Sequence, residues 1–209
     1  MLFRSKPLTA AEDQQLYDHC LKALGRGDSA RVIELANEAV ARGTKRDWPY
    51  AHLVHAYTER GELDKALEYA QRAAAQWPDN RDFLQLRAET YAFRGQAGPA
   101  LEDFAKLHGG KVAELNRELT RLSQEAEADS QDARPLLLRG VIYLLKKHHD
   151  TAARDFTRAT ELGLRRALAW RARAAKELGD AARAAEDVKA FLAEFPSDFA
   201  SDEVRTLLR

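Results

Sequence analysis

Three glycines, Gly27, Gly61 and Gly95, stand 34 residues apart, and each is followed by a polar residue and then a fresh apolar run at helical spacing. A fixed period of that length marks a chain built from copies of one two-helix unit joined at a glycine turn. One such hairpin cannot bury its apolar face alone, so stability requires several of them stacked. Ala, Leu, Glu, Arg and Lys, which lose least on entering a helix, dominate every segment. Pro7, Pro49, Pro78, Pro99, Pro135 and Pro196 all fall between apolar-periodic segments or in their first turns, where they break nothing.

The repeating positions can be read unit by unit. Asp47 to Asn80 carries Tyr50, Leu53 and Tyr57 before Gly61, then Ala66, Ala70 and a closing Pro78, with Val54 in place of a small residue. From Arg81 the series is Leu84, Ala88, Tyr91, Gly95, Ala100 and Phe104. From Ala133 it is Leu136, Gly140, Tyr143, Ala152, Phe156 and Ala159, with Lys147 at the turn; the last copy has Leu168, Ala172, Ala175, Gly179, Ala184, Val188 and Pro196. A first unit, about Asp13 to Arg46, keeps Leu16, Cys20, Ala23, Gly27, Val32, Ala36 and Ala39 but lacks the aromatic residues. These units resemble the tetratricopeptide repeat. The resemblance covers most of residues 9–198 and implies an all-α, right-handed solenoid of about five helix-turn-helix repeats that binds other proteins in its concave groove. Small residues such as Gly140, Ala172, Ala66 and Ala152 are expected where helices approach closely, with Tyr57, Tyr91 and Phe104 filling the space opposite.

The period fails once. Gly95 and Lys147 are 52 residues apart, one repeat plus 18, and an extra helix fits the surplus. Lys111 to Asp129 carries Val112, Leu115, Leu119, Leu122 and Ala126 as one apolar stripe, entered through His108, Gly109 and Gly110. Two placements are open. The inserted helix, or a partner, covers the apolar stripe Leu137, Val141, Leu144 and Leu145 on the groove side of the next helix, or it is a spacer between two sub-bundles. The expected organisation is an amino-terminal tail at 1–8, three repeats at 9–108, the inserted amphipathic helix and linker at 109–132, two repeats at 133–198, and a capping helix at 199–209 with Val204, Leu207 and Leu208 inward.

Composition narrows the function. Thirty-three basic and 33 acidic residues cancel, which argues against a general electrostatic hold on nucleic acid or an anionic membrane. A single cysteine, Cys20, excludes an intramolecular disulfide and a multi-thiolate metal site and reads as a buried structural thiol. Arg4 and Lys6 are followed by Thr9, Glu12, Asp13 and Gln14, not by the apolar stretch of a signal peptide. The longest run of large apolar residues, Val141 to Leu145, is far short of the roughly 20 needed to span a bilayer, so a cytoplasmic location is expected. His52, His55 and Glu59 share a helix face, but three ligands are too few for a closed zinc site and solvated groove residues are the expected reading. No glycine-flanked serine and no phosphate-cradling glycine loop is present, so neither catalysis nor a cofactor is expected.

Charge is uneven along the chain, because residues 133–184 hold 12 basic and 5 acidic side chains. Arg166, Trp170 and Arg173 fall on one helix face with Lys176 beside them and Arg134 on the preceding first helix. An arginine and tryptophan face suits an acidic or carboxylate-bearing peptide, through bidentate pairing and an aromatic anchor. The alternative is Trp170 as core packing and the arginines as a solvated rim. The expected partner-binding set is Arg134, Leu137, Val141, Leu144, Arg166, Trp170, Arg173 and Lys176. The family's carboxylate-clamp places hold Ala51, His55, Gln85 and Glu89 here, which removes chaperone-tail binding from the expectation. An adaptor holding a partner peptide or helix is therefore the leading function. A self-assembling scaffold through the Leu137 to Leu145 stripe and single-stranded RNA binding are the alternatives, the last disfavoured by neutral charge.

Overall fold

The computed structural model describes residues 7–109 and 111–208. Residues 1–6 of the expected tail, Gly110 and Arg209 lie outside them. The described residues form twelve α-helices and one 3₁₀ turn, with no strand. They divide into two compact units, Met1–Thr90 and Tyr91–Arg209. That division falls inside a helix of the third repeat, whereas the sequence pattern breaks at 109–132.

In the first unit, α1 (Ala10–Leu24), α2 (Ser29–Ala41), α3 (Trp48–Glu59) and α4 (Leu63–Gln76) pack each against the next, followed by α5 (Arg81–Phe93), whose last three residues belong to the second unit. Thr9 and Glu12 start α1 with a reciprocal capping box. Leu16, Cys20, Val32, Leu35, Ala36, Leu53, Tyr57 and Ala66 join in one core, so the small residues of the pattern lie where helices meet. The core also holds a polar pin. The buried Asp13 accepts from Thr44 Oγ1 at 2.6 Å and from Trp48 Nε1 at 2.9 Å, tying α1 to the entry of α3. Tyr69 Oη donates to Asn37 Oδ1 at 2.6 Å, and Asn37 Nδ2 donates to Tyr57 Oη at 3.3 Å, linking α2, α3 and α4.

The second unit contains α6 (Ala97–His108), α7 (Val112–Ala128), α8 (Arg134–Leu145), α9 (His149–Glu161), α10 (Ala167–Glu177), α11 (Ala181–Glu194) and α12 (Phe199–Arg205). Helices α7 to α11 pack each on the next, and the alternate helices α8, α10 and α12 also touch. Those three therefore make an inner layer, with α9 and α11 outside it. The inserted helix α7 packs on α8 through buried Leu115 and Leu122, and is stitched there by Lys146 Nζ to Asn116 Oδ1 at 2.5 Å and Arg139 Nη1 to Ser123 Oγ at 3.1 Å. Val112 does not join the stripe and is 61% exposed.

Two buried ion pairs recur. Arg139 grips Asp155 and Arg171 grips Asp187, each bidentate, each reaching from an inner helix to the outer helix 16 residues on. At the turns, Gly27, Gly61, Gly95 and Gly179 all have positive φ, and Lys147 takes the same conformation at φ 60° in the fourth repeat. A lysine there bears a cost of about 1–2 kcal/mol that glycine avoids. The chain end departs from expectation. Val204 is buried, but Leu208 is 56% exposed because the last turn tightens to a 3₁₀ turn at Thr206–Leu208, changing the angular step that would have brought it inward. Tyr57 and Phe104 are buried as space-fillers, whereas Tyr91 is only half-buried.

Gly140 sits where α8 and α9 meet, and a Cβ there would lie 2.5 Å from Phe156 Cε1, a fully buried ring. Helix propensity alone would make Gly140→Ala stabilising by about 1 kcal/mol. The overlap reverses that, and we expect a loss of about 1–3 kcal/mol in denaturant unfolding.

Candidate protein-binding face of the second unit

The residues expected to bind a partner lie on the inner layer, and most are already engaged within the unit. Leu137, Val141 and Leu144 are buried on α8, against which α6 lies. Trp170 is 0% exposed on α10, stacked on Phe156 at 5.9 Å, and its indole Nε1 donates to the carbonyl of Ala92 at 2.9 Å. Arg166, the N-cap of α10, sits over the Phe195 ring and donates to Arg94 O at 3.0 Å and to Asp198 Oδ2 at 2.8 Å. Arg173 donates to Glu203 Oε1 at 3.2 Å, which also accepts the Gly98 N–H at 2.8 Å. Lys176 Nζ reaches the carbonyl of Thr206, and Arg134 pairs with Asp132 at the exposed start of α8.

On the α10 face, Trp170, packed in the core as the alternative reading had it, and Arg166 donate to main-chain carbonyls of the chain's own α5–α6 turn. The turn between α5 and α6 is seated on α10 and α12. Gly95 supplies the left-handed backbone of that turn at φ 77°, and a Cβ there would rest in ordinary contact, 3.4 Å from Ala169 Cβ and 3.6 Å from Phe191. Asp198 and Glu203, which the sequence did not mark, supply the carboxylates; the only cue was the acidic stretch following the basic one.

The basic excess of residues 133–184 is not a basic patch in space. Arg134, Arg165, Arg166, Arg171, Arg173 and Arg183 pair with Asp132, Glu194, Asp198, Asp187, Glu203 and Glu186, all outside that window. Burial alone would raise the Asp198 carboxyl, but hydrogen bonds from Arg166 and from the Ala200 N–H outweigh it and its pKa falls below the usual carboxylate value. On α3, His52 packs beside the rings of Tyr17 and Trp48, which also touch each other, and burial followed by the neighbouring His55 lowers its pKa. Among the described residues no three His, Cys, Asp or Glu side chains are gathered to hold a metal ion.

Residues 47–90, which span α3, α4 and most of α5, match the family model of the tetratricopeptide repeat. Over those residues the chain carries a tetratricopeptide repeat. Similar solved structures include TTC0263, a thermophilic tetratricopeptide-repeat protein of Thermus thermophilus, at 19% identity over 94% of this chain and 98% of that one, TM-score 0.49. A tetratricopeptide-repeat protein from Parabacteroides merdae is 21% identical over 94% of this chain and 72% of that one, TM-score 0.45. MamA from Desulfovibrio magneticus is 15% identical over 89% and 97%, TM-score 0.46. No curated protein matches the chain.

Two expectations follow. Trp170→Phe keeps a ring against Phe156 but deletes the indole N–H, and should cost about 1–2 kcal/mol in unfolding free energy. Asp198→Asn retains a helix cap and loses the charge. The stability lent by a carboxylate with a lowered pKa is present above its unfolded value, near 4, and is lost as pH falls through the folded value. The gap between wild type and Asp198→Asn should therefore close as unfolding is measured at pH below about 4.

Proposed function

We propose that this tetratricopeptide-repeat chain is a protein-interaction adaptor that holds a helical or peptide segment of a partner on the inner layer of its second unit, through Arg134, Leu137, Val141, Leu144, Arg166, Trp170, Arg173 and Lys176. One observation carries this most directly. The α10 face already grips a segment of backbone, with Trp170 and Arg166 donating to the carbonyls of Ala92 and Arg94. A face that binds main-chain carbonyls through an arginine and a tryptophan suits a peptide and has no evident use for a small metabolite. Its arginines favour an acidic or carboxylate-bearing segment, since within the chain they hold Asp198 and Glu203. An external segment reaches these groups by taking the place of the α5–α6 turn.

The proposal carries no catalytic role and no cofactor, and it places the protein's work in the cytoplasm. A single buried thiol accords with a reducing compartment, and no helix among the described residues is long and apolar enough to cross a membrane.

A disulfide across the seated turn tests it. Gly95→Cys with Ala169→Cys brings Cβ atoms to 3.4 Å, close to the roughly 3.5–4.5 Å such a bridge needs. Cys20 is buried and its pKa is pushed up to about 11 by desolvation, so it stays a bystander. A partner captured from native lysate by the reduced double variant and released on oxidation is the expected result. Equal capture by both forms would put the partner on another surface.

A further inference from the structure

The contacts at the seated turn are made to main-chain groups that any helix hairpin presents. The last carbonyls of one helix and the first N–H groups of the next have no partner within their own helices. Trp170 and Arg166 take two such carbonyls at the end of α5, and Glu203 takes the Gly98 N–H at the start of α6. The charges match the ends they meet, a cation at a helix C-terminus and an anion at a helix N-terminus. Side chains of the turn matter chiefly at Gly95 and Gly98, where a Cβ would already be in van der Waals contact with Ala169, Phe191 or Glu203 and a longer side chain would have to displace them.

The same turn occurs twice more in this chain. Arg26-Gly27-Asp28 and Arg60-Gly61-Glu62 repeat Arg94-Gly95-Gln96 at 34-residue intervals, and all three glycines share a positive φ. Their surroundings differ. A Cβ on Gly95 would touch Ala169 and Phe191, whereas nothing lies within 4 Å of one on Gly27 or Gly61. The position equivalent to Gly98 is Ala30 in the first turn and Asp64 in the second. A small residue can approach Glu203, and a second carboxylate is repelled by it. The first turn has a further feature. Leu21 and Leu24, one helical turn apart at the end of α1, are 44% and 40% exposed, large apolar groups that docking would cover.

We infer that Arg166, Trp170 and Glu203 form a clasp for hairpin turns, filled within the chain by the Gly95 turn and able to take the Gly27 turn of a second copy in its place. This rests on the reading of the α10 face as a segment-holding surface and names an occupant for it. Exchange of one turn for another is head-to-tail, so copies add without a closing symmetry.

The test uses the purified full chain and its self-association by sedimentation velocity and light scattering across a wide concentration range. Gly95→Lys evicts the resident turn while keeping the turn conformation, which Lys147 shows a lysine can adopt. Gly98→Glu evicts it from an exposed position by setting a carboxylate against Glu203, and circular dichroism checks that both variants keep their helices. Either variant should self-associate at least about tenfold more strongly than wild type, the effect of removing a competitor worth about 1.4 kcal/mol. Adding Gly27→Lys should abolish the gain. Evicted variants that stay monomeric, or that still associate with Gly27 replaced, would overturn the inference. Since no outside partner enters the measurement, such a failure leaves the adaptor proposal to be decided by the disulfide-controlled capture.

Discussion

Every helix of this protein depends on its neighbour for a place to put its apolar face. Helices of 11 to 17 residues, as α1 to α11 are, are marginal alone in water, and what holds them is close approach at small side chains. Gly140 against Phe156 is the tightest instance, with no room for even one methyl group. Cys20, Ala36, Ala66, Ala152 and Ala172, all fully buried, mark other places where volume was given up to bring backbones together. The inner and outer layers of the second unit, and so the α10 face, follow from that packing.

Three carboxylates in the interior are each doubly engaged. Asp13 meets both Thr44 and Trp48, and the Arg139–Asp155 and Arg171–Asp187 pairs are bidentate with the carboxylates almost sealed from water. Breaking one partner of such a pair leaves an uncompensated charge, while replacing both with apolar groups can be neutral. They act less as a store of stability than as pins that fix which inner helix meets which outer one, because an apolar slip of one turn would strand an arginine.

Much of the fold was legible in the sequence because it is local. Gly27, Gly61, Gly95 and Gly179 mark turns through their own backbone needs, and Lys147 could be assigned only by counting from its neighbours. The Arg139–Asp155 and Arg171–Asp187 pairs repeat at 32 residues and would have marked the last two units independently, but two charged residues among so many do not stand out. The site was legible by half. Arg166, Trp170 and Arg173 share a face by helical spacing alone, and their chemistry suggested an acidic or carboxylate-bearing segment; that Trp170 and Arg166 meet main-chain carbonyls was not foreseen. What occupies that face could not be read, since Arg166 meets Arg94 across 72 residues, Trp170 meets Ala92 across 78 and Gly98 meets Glu203 across 105. Leu208 was misplaced for a smaller reason, the tightening of the last turn.

The bond between Gly98 and Glu203 has a mechanical consequence. A stack in which each element touches only its neighbours opens from its ends, as a zipper does, and a last helix of seven residues would be its weakest link. Here the terminal helix is tied back to the opposite end of the same unit, so the line of contacts becomes a closed circuit with no free end at α12. Opening it requires breaking the circuit somewhere along its length. The second unit should therefore exchange its backbone amides as one block, where an open stack would release them helix by helix from the carboxyl terminus.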